Sequence, residues 1–403
     1  MLLITARSAE REASGGAPPG GIRRGSFWDE PGSASEDAPP VPAAGCSSLI
    51  FLLARAACEN MLLTSDLVWS QKLSRVRTSC KRREEMKRKK APLIPLCEES
   101  AFWMSNLPAC LWSIPLSNLA LPGSHDAMTY SLDKSSEVSA NGSKLLQFMD
   151  KHMHCIIHPI ILRWSITQVL TVSQQLDAGI RYLDLRVAHK PDDPSMNLHF
   201  VHMLYTTVIV EDALWDILGW LEAHPWEVVV LAFRNFDGLD EKHHCHLVSC
   251  IKRIFCCKLC PRKVVPTLQN LWSCGYQVIV SYDEETQVQQ HFDLWPAIPY
   301  WWGNKTTAQE LIQYLEKRKQ GGRPAGLFVA GINLTADLGY ILAHLRGSLK
   351  KMTFRALPFL NLWIKKQHPG LQQDCINIIA GDFIERNNFV ENVIGLNRKL
   401  LSK

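Results

Sequence analysis

From Ala101 to the C-terminus, short apolar and β-branched runs recur at intervals that leave room for a helix between them, and this alternation constrains the fold more than any other feature. The runs are Asn118 to Leu121, Tyr182 to Val187, Leu198 to Met203, Glu227 to Arg234, Gln277 to Tyr282, Ile298 to Trp302, Gly326 to Ile332 and Cys375 to Ala380. Between them lie helical patterns at Thr167 to Ala178, Glu211 to His224, Lys242 to Phe255, Thr307 to Arg318, Ala336 to Leu345 and Phe389 to Lys399. In Glu211 to His224, for example, Leu214, Ile217, Leu218 and Leu221 share one face, and the following Pro225 ends the helix. Eight such units over about 290 residues predict an α/β fold, a TIM-like (β/α)8 barrel or a distorted relative of one. A doubly wound sheet is the competing solution, but no Gly-rich nucleotide loop follows the first run.

The preceding segment has a different composition. SGGAPPGG and EDAPPVPAAG, within residues 13 to 45, bury too little apolar surface to offset the entropy of ordering. Residues 1–97 are therefore expected to form a disordered, low-complexity and basic extension, and residues 98–403 the folded body. The extension carries 15 Lys and Arg against 10 Asp and Glu, and the body 29 of each, so the net charge of +5 lies wholly in the extension. A neutral body lacks the positive field that nucleic-acid binding draws on, so that partner class is excluded for it. The run KRREEMKRKK, Lys81 to Lys90, reads as a solvated segment able to touch anionic lipid headgroups. Leu49 to Ala57 is about half as long as a membrane span requires and contains Arg55. Thirteen cysteines, an odd count without regular spacing, and the lack of a secretory signal predict reduced thiols and a cytoplasmic location. The run HHCHLVSCIKRIFCCKLC, His243 to Cys260, invites a zinc reading. Its single Cys-x2-Cys pair lacks a second, and Cys250, Ile251 and Ile254 fit the buried side of an amphipathic helix instead.

In a barrel the chemistry gathers at the carboxyl ends of the strands. The first run leads into Gly123, Ser124, His125 and Asp126. In the second, RYLDLRVAH, Asp184 and Arg186 lie two apart and so point to one face. The third ends in His202, with His199 facing the other way; the fourth ends in Arg234 and Asn235, and the last in Gly381 and Asp382. Any one of these has a structural explanation. Their convergence on one rim suits acid–base chemistry on a phosphodiester, one His removing a proton, another donating one, and Arg neutralising phosphoryl oxygens.

LALPGSHDAMTY, QQLDAGIRYLDLRVAH, LHFVHMLYTT, HPWEVVVLAFRNF, IPYWWGN, LFVAGINLT and NIIAGDFI, in this order between roughly Asn106 and Leu401, resemble the phosphatidylinositol-specific phospholipase C X-domain-containing proteins. The resemblance implies a phosphoric diester hydrolase that splits phosphatidylinositol-like lipids into diacylglycerol and inositol phosphate. It implies His125 as general base, His202 as general acid, Arg186 steadying the charge on phosphorus, Asp382 orienting His125, and Asp126 and Asp184 in support. Arg234 and Tyr282 are expected to bind substrate. Where the large calcium-dependent animal phospholipases C carry metal ligands, this chain has Asp126, Asp184, Arg186 and Arg234, so metal-independent chemistry with no cofactor is expected. The expected partners are a phosphoinositide lipid and, transiently, the membrane surface, contacted through the barrel rim or the extension by a monomer. Trp301 and Trp302 are candidates for one interfacial and one buried ring. The alternative is a phosphoinositide- or anion-binding barrel without turnover.

Overall fold

The computed structural model describes residues 98–191 and 193–401. The expected extension, residues 1–97, lies outside the described residues, as do its basic run and its apolar segment. Among the described residues no helix is long and apolar enough to cross a membrane.

Ten strands form one sheet: β1 (Leu121–Ser124), β2 (Tyr182–Ala188), β3 (His199–His202), β4 (Leu204–Ile209), β5 (Val229–Asp237), β6 (Val278–Tyr282), β7 (Leu294–Trp295), β8 (Tyr300–Trp301), β9 (Val329–Gly331) and β10 (Ile378–Gly381). Eight of them run in the order β7-β6-β5-β2-β1-β10-β9-β8, every neighbouring pair parallel. The result is a curled eight-stranded TIM-like sheet, with its two short edge strands β7 and β8 not paired to each other. Helices expected from sequence appear as Val172–Asp177, Val210–Ala223, Glu241–Phe255, Ala308–Gln320, Leu338–Ala343 and Phe389–Gly395.

Period-two alternation sorts each strand between two apolar layers. Leu121, Tyr182, Val230, Ala232, Ile279, Val329, Ile378 and Ala380 fill the barrel interior. Leu183, Leu185, Val229, Leu231, Phe233, Val280 and Tyr282 face the outer layer beneath the helices. On the outer side Cys250, Ile251 and Ile254 are buried, so the cysteine-rich run is an amphipathic helix packed on the sheet. The interior is tight: a Cβ at Gly123 would lie 2.9 Å from Tyr182 Cδ1 and 3.1 Å from the Ala380 Cβ.

Two expectations need correction. The run Leu198 to Met203 is not a barrel strand: β3 and β4 form a hairpin that pairs antiparallel with the end of β2, Val187 opposite Phe200. The eighth parallel strand is instead the two-residue β7. The first strand also begins later than expected, because Leu116–Asn118 is a 3-10 turn, held as the carbonyls of Leu116 and of the following Leu119 accept from Asn377 Nδ2. Pro122 and Gly123 therefore lie within β1 and do not terminate it.

Candidate active site

Parallel pairing on both sides of β1 brings three strand ends together. Gly381 O accepts from His125 N, which places Asp382 beside His125, and β2 pairs across β1 so that Asp184 and Arg186 point into the same mouth. Arg186 stands in register with Arg234 of β5. The β3–β4 hairpin folds His202 over this group from the side.

His125 is the hub. Its Nδ1–H donates to Asp382 Oδ1 at 2.8 Å, and Arg186 Nη2 donates to its Nε2 from 2.9 Å, an arrangement that assigns the proton to Nδ1 and the lone pair to Nε2. Asp126 Oδ2 lies 3.3 Å from His125 Nε2 and 3.3 Å from His202 Nε2, so one carboxylate oxygen sits between the two imidazoles. The ring centroids are 6.3 Å apart at 76°. Arg186 Nε stands 2.6 Å from Asp126 Oδ1 and its Nη2 3.4 Å from Asp184 Oδ2. His202 Nδ1–H donates to Ser165 O at 2.6 Å, which fixes that ring from outside the mouth.

Burial sets the electrostatics. It disfavours a charged His125, yet Asp126 and Asp382 together outweigh it and raise the pKa above the usual histidine value, with Arg186 pulling the other way. For His202 burial wins over the attraction of Asp126, and the pKa is lowered. Burial opposes ionisation of Asp126, but Arg186, then His202 and His125, overcome it and hold its carboxyl below the usual range. Burial raises Asp382, only partly offset by His125. Arg186 stays charged because Asp126 and Asp184 exceed the cost of its burial.

The six residues expected to be catalytic are thus one contiguous cluster. Arg234 joins it at the mouth, its guanidinium 5.2 Å from the Tyr300 ring. Tyr282 does not. By strand parity it faces outward, where its hydroxyl bonds His244 Nδ1 at 2.8 Å and its ring packs on Phe236. Trp301 is buried, and Trp302 donates to Thr335 Oγ1.

Sequence reasoning missed several neighbours. Asn333 Nδ2 lies 3.3 Å from His125 Nε2, and Tyr300 Oη donates to Asn333 Oδ1 at 2.9 Å. Gly331 leaves the space for that ring, since a Cβ there would collide with Tyr300. Asn333, two residues past Gly331, was legible as another polar strand end. Thr167 Oγ1 and Gln168 Nε2 hold the carbonyl of His125, and Gln168 Nε2 also holds that of Gly381, which locks the two loops together. Nothing in the local pattern marks that pair. Asp126 adopts a left-handed backbone at φ 44°, a conformation that Asp tolerates better than most side chains and that concentrates at functional sites.

Ligand atoms of His125, Asp126 and Asp184 lie within 4.8 Å of one another. Two carboxylates and an imidazole are few donors for calcium, which takes six to eight oxygens, and Arg186 already occupies the space beside Asp126.

The family model PI-PLC X 1 matches residues 162–328. The chain is 57% identical over 299 residues to the human PI-PLC X domain-containing protein 1, covering 74% of this chain and 93% of that protein. It is 46% identical over 298 residues to the zebrafish protein of the same name, covering 73% and 96%. Among solved structures, the phosphatidylinositol-specific phospholipase C of Listeria monocytogenes superposes with a TM-score of 0.51 at 19% identity, covering 74% of this chain and 98% of that one. A phosphatidylinositol-specific phospholipase C of Staphylococcus aureus gives 0.54 at 14% identity, covering 75% and 99%. At those identities the likeness is one of fold. On the strength of the close relatives, the chain belongs to the PI-PLC X domain-containing proteins.

Proposed function

We propose that the protein is a phosphoric diester hydrolase of the phospholipase C type, acting on phosphatidylinositol-like lipids without a metal ion. The observation that carries this reading is the pair of imidazoles flanking Asp126, one of them backed by Asp382 and bonded to Arg186, which also pairs with Asp126.

The inositol 2-hydroxyl gives its proton to His125 Nε2 while its oxygen bonds to phosphorus. The phosphorus–oxygen bond to glycerol breaks, and the proton on His202 Nε2 passes to the leaving oxygen. Diacylglycerol and a cyclic inositol phosphate result. Water then opens the ring with the two histidines in exchanged roles. Before this, Arg186 must give up its bond to His125 Nε2, and a phosphoryl oxygen is the natural replacement acceptor, so binding of the phosphate frees the base. The same phosphate charge opposes the lowering that burial imposes on the His202 pKa and so favours the charged acid. Asp382 steadies the imidazolium that forms at His125. Asp126 and Asp184 hold the guanidinium in place.

Arg186 supplies the positive charge that a metal would otherwise bring, and the donors near it do not fit calcium. Arg234 stands at the mouth, placed to meet the inositol phosphate headgroup. Segments following β1 and β9, which end at this same mouth, expose Leu145, Phe148, Ile156 and Leu342, between 55% and 61% accessible. Arg163 Nη2 ties them together by donating to Leu345 O. Such a rim supports transient contact with a lipid surface; the hydrolase so proposed is a cytoplasmic monomer whose chemistry resides in residues 98–403.

A second reading, an anion-binding barrel without turnover, is favoured by the burial of His202, which lowers its pKa and works against a charged acid. Phosphorus NMR of phosphatidylinositol vesicles mixed with the full-length protein separates the two. A cyclic inositol phosphate signal supports the hydrolase, and vesicle binding with an unchanged spectrum supports the binding protein.

A further inference from the structure

We propose that Asp150, His154 and His158 form a binding site for a zinc-class divalent cation that ties together two rim helices. These are Lys144–His152 and His154–Ser165, adjacent in sequence and broken at Met153, whose backbone leaves the helical region at φ −133°. The three residues lie four apart, so both histidines share one face of the second helix and Asp150 reaches them from the end of the first.

The distances suit a metal. Asp150 Oδ1 lies 3.4 Å from His154 Nδ1 and 3.2 Å from His158 Nδ1. Around zinc, with bonds of about 2.0–2.1 Å, the edges of a tetrahedron are about 3.3–3.4 Å long, so the donors already span two such edges. The imidazole centroids are 4.3 Å apart. Asp150 and His158 are buried, at 5% and 4% exposure, while the His154 side chain is 56% exposed and leaves an open side for entry and for a fourth ligand from solvent. Among the described residues the only other donor group of this kind is the catalytic one, and the two share no residue.

The position gives the cation a consequence. The second helix ends at Ser165, whose carbonyl accepts from His202 Nδ1, so a metal at its start stiffens the element that holds the general acid at its end.

The test uses the full-length chain stripped with EDTA and dialysed free of chelator. Cobalt(II) titration followed by visible absorption, with zinc competition and thermal melts, is run on the parent and on His154→Ala, Asp150→Asn and His125→Ala. His154 is exposed, so its variant keeps the fold. The parent and His125→Ala should show one d–d band of tetrahedral intensity displaced by zinc, and zinc should raise their melting temperatures. His154→Ala and Asp150→Asn, each lacking one of three direct ligands, should lose the band or need far more cobalt to reach it. Equal titration of parent and His154→Ala overturns the proposal, as does a band lost in His125→Ala and retained in His154→Ala.

Discussion

Replacing Asp382 by Asn isolates the support given to His125. The Asp382 carboxylate is buried and accepts Nδ1–H at 2.8 Å. Asn keeps the volume and an acceptor oxygen, and the donor facing Nε2, Arg186 at 2.9 Å in the free protein and the inositol 2-hydroxyl in the complex, keeps the proton on Nδ1. The tautomer survives, and only the charge is removed. A hydrogen bond to an ionised acceptor contributes about 1–2 kcal/mol more than a neutral one, so the imidazolium formed during the reaction loses that stabilisation and kcat/KM falls roughly 5- to 30-fold. The pH profile moves as well. Asp382 is one of the groups that raise the His125 pKa, so its neutralisation lowers that pKa. The base must be unprotonated, activity rises as pH climbs through its pKa, and the acidic limb therefore shifts to lower pH in the variant. Initial rates on detergent-dispersed phosphatidylinositol between about pH 5 and about pH 9 measure both effects, with circular dichroism to confirm the fold. An acidic limb that stays in place or moves upward, with kcat/KM within about twofold of the parent, refutes the assignment of Asp382.

Arg186→Lys keeps a charge but cannot contact Asp126, Asp184 and His125 together; kcat/KM should fall about 100- to 1,000-fold in the same assay, and a loss under about threefold would count against the role of the fork. Glu227→Ala leaves the buried Arg181 guanidinium without the partner that lies 2.7 Å away, and urea denaturation should show a loss of about 3–5 kcal/mol. Tyr282→Phe removes a bond to His244 on the outer face; it should cost about 1 kcal/mol of stability and leave turnover unchanged, and a selective loss of turnover would return Tyr282 to the site.

The barrel was legible because its central strands are β-branched runs with clean alternation. Asp184 and Arg186 interrupt that alternation on one face, and the structure puts that face at the mouth. The same parity applied to β6 would have sent Tyr282 outward with Val280. The run ending in His202 was misplaced although a warning was present: only Met203 separates it from LYTTVI, so no helix can intervene and a hairpin is required. With two residues, β7 left no pattern to read. The rim helices Lys144–His152 and His154–Ser165 escaped for a different reason. Leu145, Phe148 and Ile156 are exposed, so their apolar residues do not trace a core-facing stripe. Leu349–Lys366 contains Pro358, which interrupts the helical signal although the helix accommodates it. Thr167 and Gln168 brace the site through backbone carbonyls, contacts that depend on tertiary placement.

Metal-independent acid–base hydrolysis is tested by release of inositol phosphate from phosphatidylinositol vesicles in EDTA by the parent protein, His125→Ala and His202→Ala. Turnover by the parent in the chelator is expected, with a fall of at least about 1,000-fold in each variant. A parent that is silent in EDTA and active once calcium is restored, or a histidine variant that keeps the parent rate, would contradict it.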